Sequence, residues 1–111
     1  MLFHRGDTMP FMVKIINKNG DAISVNDIDT LILTCRKLPT KSSPILFQKT
    51  LQDFTLEGKY AHISFEPEDT ETLIYGTYYF DIEITLKSGY RKSRLYEFEL
   101  EKETTIHGGD E

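Results

Sequence analysis

The run from Tyr75 to Leu86 changes character at every residue, and a chain carrying such a run has few folds open to it. Tyr78, Phe80, Ile82, Ile84 and Leu86 fall on one side, and Thr77, Tyr79, Asp81, Glu83 and Thr85 on the other. A period of two is the mark of a strand with one dry face and one wet face. After Lys87-Ser88-Gly89 a second such run begins, in which Tyr96, Phe98 and Leu100 form the apolar set. The length of the loop between the two runs then fixes their register. A two-residue loop would set Phe80 against Glu97 and Tyr78 against Glu99, placing acids in the dry layer. A three-residue loop, with Gly89 in the left-handed conformation, pairs Leu86 with Tyr90, Phe80 with Tyr96 and Tyr78 with Phe98. Tyr79 and Glu97 then share the outer face, and the stems of Arg94 and Lys92 lie over Ile82 and Ile84. A one-residue slip turns every apolar side chain to water, so the longer loop is expected.

Earlier segments read the same way. Phe11 to Ile16 is a strand with Phe11, Val13 and Ile15 on one face, ended by the Asn19-Gly20 turn signal. A short piece, Ala22 to Val25, leads into the polar turn Asn26 to Asp29. Thr30 to Lys37 carries Leu31, Leu33 and Cys35 at alternate positions, and Pro39 and Pro44 mark the loop that follows. Ile45 to Thr50 and Lys59 to Phe65 are further strands. Between them lies a connection anchored by Phe54 and Leu56. Glu66 to Leu73 suits one helical turn, with Pro67 early and acids at its start. The chain has 11 Ile, 12 Thr, 6 Tyr and 7 Phe but only two Ala, a composition suited to strands. About seven short strands with no long amphipathic helix predict an all-β antiparallel sandwich. Residues 1–8 read as a loosely held N-terminal arm able to tie protomers together, 9–106 as the sandwich, and 107–111 as a flexible tail.

Function classes can be excluded on charge and ligand supply. With 111 residues there is room for one domain. Thirteen Lys and Arg against 18 Asp and Glu give a net charge of −5, which argues against nucleic-acid binding. No apolar stretch is long enough to span a bilayer, and the first residues lack the apolar core of a secretion signal. One Cys allows no internal disulfide. His4, His62 and His107 have no ligand-like spacing to Cys35 or to each other, and there is no phosphate-cradling glycine loop or nucleophile elbow. Neither a catalytic residue, nor a metal, nor a cofactor is expected. Asp21, Asp27 and Asp29 fit side chain to backbone turns better than a calcium loop. Glu97, Glu99, Glu101 and Glu103 project from one strand face, as a solvated surface or as a docking surface for a basic partner. Tyr75, Tyr79 and Tyr90 are candidates for an outer aromatic platform.

The stretch Glu68-Asp69-Thr70 … Tyr75-Gly76-Thr77-Tyr78-Tyr79-Phe80 is similar to the corner and following strand of immunoglobulin-like domains. The resemblance implies a structural corner of Asp69, Gly76, Tyr78 and Phe80, with the Tyr78 hydroxyl bonded back to the corner's backbone and Phe80 where those domains have a cysteine. Over nearly the whole chain, five features occur in order. They are Arg5-Gly6-Asp7-Thr8 before a strand, Asn19-Gly20, Ile63-Ser64-Phe65-Glu66-Pro67-Glu68-Asp69-Thr70, Gly76-Thr77-Tyr78-Tyr79-Phe80-Asp81-Ile82, and Tyr96-Glu97-Phe98-Glu99-Leu100. This order resembles the N-terminal domain of phage baseplate upper proteins and the related small tail-associated proteins of prophages. It implies an immunoglobulin-like virion module, made in the bacterial host cytoplasm, that docks on other tail or baseplate proteins, or on its own copies, without chemistry. The surface expected to do so comprises Arg5, Asp7, Tyr79, Glu97 and Glu99. The Arg5-Gly6-Asp7 tripeptide is read as ordering the arm rather than as an integrin motif. The alternative is a small carbohydrate-binding module at a bacterial surface, resting on Tyr79. A third reading, a ligand-free bacterial surface domain, requires an export signal supplied elsewhere.

Overall fold

A strand with one dry face needs a second apolar layer, and the described residues supply it by folding eight strands into two facing sheets. The computed structural model describes residues 2–101. In chain order the strands are β1 (Leu2–His4), β2 (Met9–Lys14), β3 (Ile28–Arg36), β4 (Ile45–Thr50), β5 (Thr55–Glu57), β6 (Tyr60–Phe65), β7 (Gly76–Leu86) and β8 (Arg91–Glu101). A one-turn helix, α1 (Pro67–Thr70), joins β6 to β7. The larger sheet has the order β1-β8-β7-β3-β4 and the smaller β2-β6-β5. All pairs are antiparallel except β1 with β8, which is parallel. The protein is an immunoglobulin-like β-sandwich. No helix among the described residues is long and apolar enough to cross a membrane.

The β7–β8 hairpin adopts the three-residue loop. The Leu86 N–H donates to the Tyr90 carbonyl at 2.8 Å, and Gly89 takes φ +97°, a conformation that strains any residue with a Cβ. Phe80 pairs with Tyr96, Tyr78 with Phe98, and Ile82 and Ile84 with Arg94 and Lys92. The dry layer is largely aromatic. Phe65 of the smaller sheet is fully buried. Its ring centroid lies 4.9 Å from Phe47, 5.3 Å from Phe80 and 5.7 Å from Phe98, all on the larger sheet. These mostly edge-to-face contacts couple the sheets where other domains of this fold use a cross-link. Leu31, Leu33 and Cys35 fill the layer from β3, and Ile15 closes it from just beyond β2.

Two expectations need correction. Leu2–His4 does not form a loose arm: it pairs with Glu99–Glu101, because Phe3 is an apolar anchor, buried against Phe98 at 4.8 Å and Phe65 at 5.3 Å. The short piece Ala22–Val25 makes a single bridge, Ile16 to Ala22, and enters a short 3-10 turn whose Asn26 N–H is capped by the Ser24 hydroxyl. The connection after β4 contains a strand, β5, and of its two expected anchors only Phe54 is buried; Leu56 sits on an exposed edge strand. The tail read over 107–111 lies outside the described residues.

Candidate interaction surface

β7 runs through the middle of the larger sheet, between β3 and β8, so its outward side chains meet those of both neighbours. One cross-strand row is Arg36, Tyr79 and Glu97; the next is Thr34, Asp81 and Leu95; Thr77 stands beside Glu99. Glu97, Glu99 and Glu101 are exposed, spaced about 7 Å apart along the strand. Glu103, the fourth acid of this run, lies outside the described residues. Tyr79 is half-buried among its neighbours.

Beside Tyr79, two leucines stand out of the sheet. Leu95 and Leu38 are each 54 % exposed and flank a shallow groove of about 240 Å³. The loop that carries Leu38 is fastened to the sheet edge. The Arg36 Nε–H donates to the Ser43 carbonyl at 3.1 Å, and the Leu38 N–H donates to the Ser43 hydroxyl at 3.3 Å. Ser43 is itself buried, which holds the loop's apolar tip in place. An aromatic ring and two leucines inside a charged rim match a protein-contacting surface. Neither leucine was identified from the sequence. Leu95 was legible in principle, because it is an apolar residue out of phase with Tyr96, Phe98 and Leu100. Leu38 carried no such signal, since only tertiary contacts place its loop.

The remaining expected contact residues go elsewhere. Arg5 reaches the end of the sandwich, where its guanidinium lies 4.5 Å from the Tyr75 ring centroid and donates to the Leu73 carbonyl at 3.3 Å. The Gly6 N–H donates to the buried Thr70 hydroxyl at 3.1 Å. Asp7 is exposed in the turn closed by its N–H on the His4 carbonyl. Arg5 thus orders the N-terminal segment against its own domain, while Tyr79, Glu97 and Glu99 share the sheet face. The three outer tyrosines do not form a platform. Tyr75 is under Arg5, Tyr90 is half-buried at the hairpin tip facing the core, and Tyr79 is roughly 20 Å along the strand from that tip.

At the corner between β6 and β7, side chains bond back to the backbone. The Tyr78 hydroxyl donates to the Ile74 carbonyl at 2.6 Å. Lys37 Nζ sits 4.3 Å from the Tyr78 ring centroid and donates to the Thr77 carbonyl at 3.0 Å. A Cβ on Gly76 would lie 3.1 Å from that ammonium, and its φ of +144° favours glycine independently. Asp69 accepts the Glu66 N–H at 2.7 Å and pairs with Lys49 of β4 at 2.7 Å, both side chains being largely shielded. Burial, then the negative charge of Asp69, pushes the Cys35 thiol up to about 12; burial, then Cys35, raises Tyr78, opposed by its bond to Ile74. These groups are held in neutral forms inside the sandwich.

Other polar clusters are local. Asn17 Oδ1 accepts the N–H groups of Asn19 and Asp21, and the Asp27 carbonyl accepts the Lys87 N–H. No three His, Cys, Asp or Glu side chains gather as a metal-ligand set among the described residues. His62 Nε2 lies 3.6 Å from Glu57 on the smaller sheet.

No family model and no curated protein matches the sequence. Among solved structures, a CopC from Methylosinus trichosporium OB3b superposes with a TM-score of 0.43 at 10 % identity, covering 69 % of this chain and 67 % of that one. A family 123 glycoside hydrolase from Clostridium perfringens superposes with a TM-score of 0.39 at 20 % identity, covering 91 % of this chain and 22 % of the hydrolase.

Proposed function

We propose that the protein is a non-enzymatic structural module of a phage or prophage tail or baseplate, which acts in the virion by protein–protein contact. The observation that carries this reading is the sheet face on which Leu38, Tyr79 and Leu95 lie exposed or half-exposed next to Glu97 and Glu99. Aromatic and leucine side chains rimmed by charge supply a desolvated contact centre with an orienting edge. The ordered motifs that resemble baseplate upper proteins supply the context. Asp69 and Tyr78 of the corner motif are engaged in holding the fold, since each bonds to protein groups, and Lys37 bonds to the Thr77 carbonyl beside them.

The test is direct association. Tail and baseplate proteins encoded beside this reading frame are mixed with it and followed by analytical ultracentrifugation. A complex is expected, weakened about tenfold at low salt by Glu97→Lys with Glu99→Lys, the loss shrinking as salt screens the rim. Binding of an oligosaccharide that Tyr79→Ala abolishes, with no tail partner, would replace this reading by the carbohydrate-binding one.

A further inference from the structure

A second surface lies on the opposite flank of β8 and carries the opposite charge. Among the described residues β2 pairs with β6 alone, so its other edge is open. β8 is covered by β1 only at Glu99–Glu101, which leaves the edge of its first half open on the same flank. Between these edges runs a cleft of about 360 Å³. Val13, Ile82 and Ile84 contribute its apolar floor, and Lys14, Lys92 and Arg94 stand at its rim. Among the described residues no carboxylate lines it. On a chain of net charge −5, this is a local concentration of three cations around apolar side chains.

The backbone of β2 is set to accept a strand there. The Ile15 N–H donates to the Lys59 carbonyl at 3.0 Å, one step beyond the Lys14–Tyr60 pair. Odd residues of β2 therefore bond to β6, and the N–H and C=O groups of Met12 and Lys14 face the open edge. Pro10, which has no N–H, falls in this outward set, the position an edge strand tolerates. Met12 beside them is 60 % exposed.

Charge decides the occupant. A second copy pairing β2 with β2 about a two-fold axis would bring two sets of Lys14, Lys92 and Arg94 together. The β8 of a second copy is no substitute, because its open stretch, 91–98, carries Arg91, Lys92 and Arg94 against the single acid Glu97. We infer that the cleft between β2 and β8 binds an extended segment of a partner protein in which acidic and apolar side chains alternate. The segment adds as a strand to the β2 edge, with its apolar residues on Val13, Ile82 and Ile84 and its carboxylates at Lys14, Lys92 and Arg94. This surface is distinct from the Tyr79 face, and the inference stands whether or not the protein belongs to a virion.

The probe is a fluorescent synthetic peptide of about nine residues, one strand's length, alternating Glu with Val and Ile. Three controls accompany it, one with Lys for every Glu and two N-methylated on alternate backbone nitrogens, one in each register. Fluorescence anisotropy on the intact protein should show the acidic peptide binding at least about tenfold tighter than the Lys peptide. N-methylation of the edge-facing nitrogens should abolish binding, and Lys92→Glu with Arg94→Glu should reverse the preference between the acidic and Lys peptides. Glu97→Lys should leave the preference unchanged. Equal binding of the two peptides, no binding of either, or undiminished binding of both N-methylated registers would overturn the proposal. So would concentration-dependent dimerisation that Met12→Pro removes while the acidic peptide fails to bind.

Discussion

Phe65 and Tyr78 hold the sandwich by different physics, and their substitution should separate the two contributions. The Phe65 ring meets Phe3, Phe11, Phe47, Phe80 and Phe98, and none of it reaches solvent. Phe65→Ala would open a cavity that five rings cannot close without leaving their rotamers, at a cost of about 3–5 kcal/mol. Tyr78→Phe keeps the buried ring and removes only the hydroxyl bond to Ile74. Ile74 is exposed, so its carbonyl can turn to water, and the loss should be about 1 kcal/mol. Urea titration of both variants checks the contrast. Equal losses would mean that the corner bond, and not the aromatic layer, sets stability.

At the scale of elements, β1 is the piece whose role the structure redefines. It contributes three residues, but Phe3 brings a full ring into the core and its backbone covers the end of β8. Phe3→Ala should therefore destabilise the domain by about 3 kcal/mol without changing its sedimentation coefficient under folding conditions. A change in oligomeric state at unchanged stability would return β1 to a tether between protomers. The strands with a strict period of two were legible in the sequence, down to the pairing of Phe80 with Tyr96, because a slip would have buried Glu97 and Glu99. β1 and β5 were not legible, since three residues are too few to show a period. The candidate face was half legible. Tyr79, Glu97 and Glu99 followed from the hairpin register, whereas the place of Leu38 depends on Arg36 and Ser43 folding the loop back. The cleft beside β2 was not legible at all, because an open edge is defined by which strands fail to pair.

For the whole molecule, alkaline pH should be destabilising, and the cause is the composition of its dry layer. Cys35 is buried with a thiol pushed from 9.0 up to about 12, first by desolvation and then by Asp69. In the unfolded chain the same thiol loses its proton near 9, so between these values the folded state holds a proton that the unfolded state has released. Stability is then complete below pH 9 and falls as pH rises, by about 1.4 kcal/mol for each unit above 9 until the folded thiol itself ionises. Tyr78, also raised by burial, adds a loss of the same sign starting above 10. With no disulfide to limit the unfolded chain, a loss of this size is a large share of the stability of a 111-residue domain. Urea midpoints measured from pH 8 to 11 should fall steadily, and Cys35→Ala should flatten the first part of that fall while lowering the midpoint at pH 8. A midpoint that does not move between pH 8 and 10.5 would mean that the thiol is not held in the dry layer between the sheets, and the packing of β3 against β7 would have to be redrawn.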